Sequence, residues 1–200
     1  VTTAHRARPS PRWMPPPADT AARAAELSAA LPALPDPLAR VLVARGMTEP
    51  DSVRRFLRPT LDRLHDPFGL PDLRPAVERI EAALGADQTI FVHGDFDADG
   101  MSATALTVRA LRRLGGRVVP YVPHRIEDGY DLRAEGVERA AEAGASLILT
   151  VDCGVAAVEA VSAASARGID VVVTDHHRPG PELPAALAVV NPMRADAGYP

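Results

Sequence analysis

Lysine is missing from this chain. All 22 basic residues are arginines, a bias that points to a GC-rich coding sequence and says nothing of function. Cysteine occurs once, as Cys153. One thiol cannot close an internal disulfide, which points to a reducing compartment. Without thiolate pairs the chain does not read as holding a structural zinc site. No apolar run approaches the roughly 20 residues needed to cross a bilayer. The opening stretch, VTTAHRARPSPRWMPPPADT, has no continuous apolar segment and does not read as a secretory signal. A cytoplasmic protein without membrane association is therefore expected. GxGxxG and P-loop patterns are absent, which argues against a plain nucleotide-binding α/β domain. Aromatic residues make up only 4% of the chain, so base-stacking platforms are scarce. The net charge of −4 taken alone argues against nucleic acid as a partner. Metal ions or a local basic patch would reverse that argument.

What remains is a 200-residue chain with 46% hydrophobic and 24% charged residues, the balance of a globular protein. Residues 1–17 are rich in Arg and Pro and are expected to form a flexible tail with one anchoring aromatic, Trp13, rather than a docking segment built on Trp13 and Met14. Residues 18–85 read as a small helical region broken by proline. DPLARVLVARG has Pro in its first turn and Gly at its end. TEPDSVRRFLRP is expected to start on a Thr48 cap and to stop before Pro59. From residue 86 the rhythm changes. QTIFVHGDF, RVVPYVP, SLILTVDCG and IDVVVTDHH are short β-rich runs, and helical spacing separates them. LAVVNP offers a fifth strand. The alternation predicts an α/β fold, a mainly parallel sheet flanked by helices, over 86–200.

Polar groups cluster where these strands end. The first strand delivers His93, Asp95, Asp97 and Asp99, and the second His124 and Arg125. The third delivers Asp152, and the fourth Asp175, His176 and His177. In an open parallel sheet the C-terminal strand ends share one edge, and ligands bind there. Several carboxylates converging on one cleft repel each other unless a cation sits among them. Oxygen and imidazole donors suit Mn²⁺, Mg²⁺ or Zn²⁺. Single residues have plainer roles: Asp99 alone could cap the helix opened by Gly100, and His5 and His65 read as ordinary surface histidines. His124 weighs against being a ligand. Cys153, in a slot that wants a small side chain, does not read as a nucleophile.

HGDFDADG, VDCG, TDHHRPG and AVVNP together resemble the DHH phosphoesterase superfamily. PHRIEDGYDL and the spacing are similar to its RecJ-type single-stranded-DNA-specific 5′→3′ exonucleases, from about residue 72 onward. The helical region before it resembles the RecJ N-terminal extension more loosely. The resemblance implies two divalent cations, Mn²⁺ ahead of Mg²⁺. It places Asp97 on one metal with His93 as partner, Asp99 and His176 on the other, and Asp152 between the two. Asp95 would shape the loop or support the ligands, Asp175 would orient a histidine, and His177 would face the substrate phosphate. Arg109 and Arg125 are candidates for DNA contacts.

The implied activity is metal-dependent hydrolysis of single-stranded DNA in repair and recombination. Single-strand-binding protein and a helicase are the implied protein partners. The family pattern also has a further ligand aspartate after the NP strand and a second domain, so the front part of a longer enzyme is expected. Two rivals remain open. One is an oligonucleotide or cyclic-dinucleotide phosphodiesterase, or a pyrophosphatase, of the same superfamily. The other is a non-catalytic replication scaffold, against which the intact Asp97, Asp99, Asp152 and His176 speak.

Overall fold

The computed structural model describes Met14, Pro16, Pro17 and residues 19–199. His5, Trp13 and most of the tail expected over 1–17 lie outside the described residues. The chain divides into two compact units, Val1–Leu64 and His65–Pro200.

Among its described residues the first unit holds three α-helices, α1 (Thr20–Ala30), α2 (Asp36–Ala44) and α3 (Pro50–Leu57), followed by a short 3-10 turn at Leu61–Arg63. Its core is Ala24, Leu27, Leu34, Ala39, Leu42, Val43 and Val53. The expected Thr48 cap on α3 is not formed. Glu49 occupies the cap position and Pro50 opens the helix, because proline's fixed φ and missing N–H suit the first helical residue.

The second unit contains α4 (Leu73–Gly85), β1 (Thr89–His93), α5 (Ala98–Arg113), β2 (Arg117–Tyr121) and α6 (Ala134–Glu142). After these come β3 (Ala145–Val151), α7 (Val158–Ala166), β4 (Asp170–Thr174) and β5 (Ala188–Val190). All five strands run parallel in the order β2-β1-β3-β4-β5. The fold class is therefore the α/β parallel sheet expected, with LAVVNP as its fifth strand.

Strand alternation splits the core in two. Phe91, Ile148, Val171, Val173 and Val189 face α6 and α7, where Val137, Ala140, Val161 and Ala164 cover them. Ile90, Val92, Leu147, Leu149 and Val172 face the other way, against Ala76 and Ala83 of α4 and Val108 and Leu111 of α5. Both faces are buried, which is why these strands read as continuous apolar runs.

The compact units divide elsewhere than the 85/86 boundary read from the sequence. The sequence pattern groups α4 with the helices before it, but its small residues seal one face of the sheet, and the division falls between Leu64 and His65. A stabilising tie runs from the same region. Asp72 accepts hydrogen bonds from the Val189 backbone N–H (3.1 Å) and from Arg194 (2.6 Å), holding the edge strand β5 in place.

The strand order reverses at β1. The chain steps from β1 to β2 on one side and then returns to β3 on the other. Loops leaving β1 and β3 part in opposite directions there and leave a crevice, the usual ligand position in such sheets.

Candidate metal centre

The loop after β1 is shaped by glycine. Gly94 lies so close to Thr104 of α5 that a Cβ there would sit 1.8 Å from its Oγ1. A Cβ on Gly100 would come within 2.6–2.8 Å of Cβ, O and C of Asp95. These contacts fold Asp95, Asp97 and Asp99 tightly back over the start of α5. Asp97 caps that helix by accepting from the Gly100 N–H at 3.0 Å, and this bond holds its carboxyl below the usual range. Asp95 is 2% exposed, and one of its oxygens has no hydrogen-bond partner. Burial pushes its pKa up, with Asp97 and Asp99 adding to the rise.

Asp152 follows β3 in the left-handed region, φ 65°, which Asp tolerates better than most residues. Its backbone N–H still donates to Thr174 O at 3.0 Å, so the turn is pinned to β4. Its carboxylate is buried. His176 Nδ1 stands 3.2 Å from Oδ1, but outside hydrogen-bonding geometry, so both oxygens are unpartnered. Desolvation raises its pKa and Asp99 adds repulsion.

Asp175 is the opposite case. Oδ1 accepts from the backbone N–H groups of His176 (2.7 Å) and His177 (3.0 Å) and from His177 Nδ1 (2.7 Å). Oδ2 accepts from Val155 N–H at 3.0 Å. This carboxylate organises the loop and leaves His177 with Nε2 turned away from Asp175. The bond to Asp175 raises the His177 pKa. Asn191, fully buried after β5, donates to His177 O at 2.9 Å and so ties the same loop to the sheet edge.

Two donor groups result. Asp95, Asp97 and Asp152 offer ligand atoms within 4.8 Å of one another, and so do Asp152, Asp175, His176 and His177. A cation about 2.1 Å from each donor nearly spans such a group. Asp152 belongs to both. Unpartnered buried carboxylate oxygens with imidazole nearby are the donor set a hard or borderline divalent ion takes, so the residues present fit the expected metals.

Other predicted residues fall differently. Asp99 lies outside both groups and acts on them through its charge on Asp95 and Asp152. His93, the expected partner of Asp97, is also outside them. Its ring is buried against Gly136 and Tyr121, with Nδ1 3.6 Å from Cys153 Sγ. Burial pulls its pKa down to about 4 and pushes the Cys153 thiol up, so neither behaves as an exposed reactive group.

Arg125 stacks over Phe96, 5.1 Å from the ring centroid, at the edge of the acidic loop. Arg109 does not join it. It sits 11 residues beyond the start of α5, about 16 Å along the axis from the carboxylates. His124 is exposed and belongs to the turn closed by Asp128, which accepts from its backbone N–H at 2.6 Å.

Asp131 escapes the sequence reading as an individual residue. Like Asp152 it is left-handed, φ 74°, and it accepts from the Gly154 N–H at 2.7 Å, bracing the turn that carries Asp152. Its position in EDGYDL is the available signal. Asn191, in AVVNP, escapes in the same way.

The DHH family, N-terminal domain, matches residues 89–198. This chain belongs to the DHH family. The DHH match covers every residue of the two donor groups. A single-stranded-DNA-specific exonuclease RecJ of Dickeya dadantii (strain 3937) is 49% identical over 177 residues, 88% of this chain and 29% of that protein. A crystal structure of RecJ from Thermus thermophilus in complex with Mn²⁺ has 34% identity and a TM-score of 0.63, over 89% of this chain and 24% of that one. A crystal structure of exonuclease RecJ bound to manganese has 41% identity and a TM-score of 0.61, over 66% of this chain and 34% of that one. The DHH chain thus spans about a quarter to a third of the length of these relatives. Among the described residues no helix is long and apolar enough to cross a membrane.

Proposed function

We propose that this chain is the metal-binding portion of a single-stranded-DNA-specific 5′→3′ exonuclease that hydrolyses phosphodiester bonds. The observation that carries the reading is Asp152, a buried carboxylate without hydrogen-bond partners, shared by two donor groups. Similarity to RecJ proteins, two of them solved with manganese, supports the choice of substrate and metal.

Asp95, Asp97 and Asp152 would hold one cation, and Asp152 with His176 would hold the second. Asp175 is saturated by its own loop and serves as an anchor. Two divalent ions there, Mn²⁺ ahead of Mg²⁺, would activate water as the nucleophile and neutralise charge on the phosphate. The chain's own residues supply the rest. Asp152 keeps both donor groups in register through its fixed turn. Asp175 holds the His177 Nδ1 proton, which leaves Nε2 for the substrate phosphate or its leaving oxygen. Arg125, fixed on Phe96, offers a guanidinium to the strand backbone. Single-strand-binding protein and a helicase are the proposed partners, since both present or produce free strands.

The test uses the intact protein that carries this chain. With Mn²⁺ it should shorten single-stranded DNA from a 5′ end, and a chelator should stop it. A panel of cyclic dinucleotides, short oligonucleotides and pyrophosphate accompanies the assay. Equal rates on blunt duplex, or a clear preference for a cyclic dinucleotide or pyrophosphate, would overturn the reading.

A further inference from the structure

β5 is the shortest strand of the sheet, three residues from Ala188 to Val190, and it pairs with β4. Among the described residues no strand pairs with its other edge. Two side chains take that place. Asp72 Oδ2 accepts from the Val189 N–H at 3.1 Å, and Arg194 Nη1 donates to Val189 O at 2.6 Å. Arg194 Nη1 also donates to Asp72 Oδ2 at 2.6 Å, which closes the set. An acceptor and a donor facing Val189 do for β5 what a sixth strand would do. Asp196 steadies the guanidinium by accepting from Nε at 2.9 Å and from Nη2 at 2.7 Å. The Arg194 side chain is only 10% exposed.

The loop with the two histidines hangs from the same strand. Val190 O accepts from the Asp175 N–H at 3.1 Å. Asn191, the next residue, is fully buried and donates from Nδ2 to His177 O at 2.9 Å. Its Oδ1 accepts from the Met193 N–H at 2.7 Å, so both ends of the amide are fixed. One connected run of hydrogen bonds thus leads from the outer edge of β5 to His177.

We propose that Asp72 and Arg194 form a latch that positions His177 for the substrate phosphate, acting through β5 and Asn191. The latch rests on the nuclease reading only for the role of His177. A residue outside the DHH match at 89–198, Asp72, thereby acts on the metal centre. His177 serves only if Nε2 meets the phosphate closely, and a displacement of about 1 Å costs about a hundredfold in rate. Asp175 fixes the imidazole within its own loop and ties that loop to Val155 on the β3 side. On the other side the ties are Val190 and Asn191. A three-residue strand with an unbonded outer edge frays, and Asn191 then moves together with the His177 carbonyl. Asp72 and Arg194 are positioning residues in this assignment.

A second ion pair gives the control. Arg79 and Asp170 also meet at 2.6 Å, the Arg79 side chain is 13% exposed, and Arg79 donates to Ser146 O at 3.2 Å. This pair ties α4 to the first residue of β4, at the end of the strand away from the histidines.

The experiment measures kcat, KM and melting temperature of the intact protein on single-stranded DNA with Mn²⁺. Arg194→Met should lower kcat about tenfold to a hundredfold and leave KM within about threefold. Arg194→Lys keeps a charged donor and should recover part of the rate. Asp72→Asn suits the left-handed φ of 57° and should also lower kcat. The double variant should be no slower than Arg194→Met alone. Arg79→Met should lower the melting temperature comparably and keep kcat within about twofold. In a His177→Ala background, Arg194→Met should cost less than about twofold, because the group it positions is gone. If Arg194→Met does not fold, Asp72→Asn is read in that background instead.

Equal losses of kcat with and without His177 would mean that the pair acts on the sheet in general, and would overturn the latch. Losses of kcat that follow melting temperature alike in Arg194→Met and Arg79→Met would do the same. A wild type that ignores single-stranded DNA yet cleaves another phosphodiester overturns the nuclease reading alone, and the same variants on that substrate still decide the latch.

Discussion

Asp152 is where charge repulsion and metal binding meet. In the metal-free protein its carboxylate is desolvated, unpartnered and repelled by Asp99. Neutralising it relieves that repulsion. Its φ of 65° makes alanine a poor probe, because a Cβ residue other than Asn or Asp resists this conformation by about 1–2 kcal/mol. Asp152→Asn keeps the shape and removes the charge. In the intact protein it should lower the nuclease rate by about a thousandfold or more, since both donor groups lose a ligand. Without Mn²⁺ its melting temperature should be at or above that of the wild type. Near-normal turnover in this variant would remove the shared-ligand assignment.

His93 gives a pH dependence. Its imidazole is buried and its pKa falls to about 4, against about 6.5 in an unfolded chain. The unfolded state takes up the proton first, so the associated stability is complete above about pH 6.5 and is lost as pH falls through about 4. The gap corresponds to about 3 kcal/mol. Urea unfolding at pH 7 and pH 4 should show His93→Gln losing about 3 kcal/mol less than the wild type between those values. Parallel losses in the two proteins would mean that His93 is more hydrated than its position indicates.

The loop from β1 into α5 depends on backbone contact. Gly94 meets Thr104 and Gly100 meets Asp95, and both contacts close the turn that carries three aspartates. Gly100→Ala would press on backbone atoms that cannot step aside. It should destabilise the protein by about 1–3 kcal/mol, the usual cost of overpacking. Gly94→Ala presses chiefly on the Thr104 hydroxyl, which can be removed. Adding Thr104→Ala should therefore recover part of the loss, a coupling that a double-mutant cycle by denaturant unfolding measures directly. Additive losses would place the strain elsewhere in the loop.

The two units each carry their own core: Ala24 to Val53 in the first, and both sheet layers in the second. Residues 65–200 alone should then melt cooperatively. Residues 86–200 lack α4, whose Ala76 and Ala83 cover Ile90, Val92 and Leu147 on one face of the sheet. Exposing that apolar face favours aggregation over a sharp transition. Calorimetry and light scattering on the two fragments decide the matter. Equal cooperative melts would show that α4 is dispensable.

Local periodicity and chemistry were enough to specify the parallel α/β rhythm, all five strands and the convergence of carboxylates on one edge. Each of those follows from neighbours in sequence: alternation sets strand faces, and strand ends set where loops deliver their charges. The motifs of the DHH family are legible for the same reason, since HGDFDADG and TDHHRPG are contiguous. Tertiary structure alone decided the rest. Whether His93 turned to a metal or to Cys153 depended on packing by Tyr121 and Gly136, residues 28 and 43 positions away. The direction of α5 removed Arg109 from the carboxylates, while the turn after β2 brought Arg125 onto Phe96. The placement of α4 on the sheet, and the contact of Phe96 with Tyr130 and Tyr130 with His177, are likewise long-range outcomes. Side-chain direction and helix docking are fixed by which surfaces must be buried together, and that information is spread over the chain rather than held in any one stretch of it.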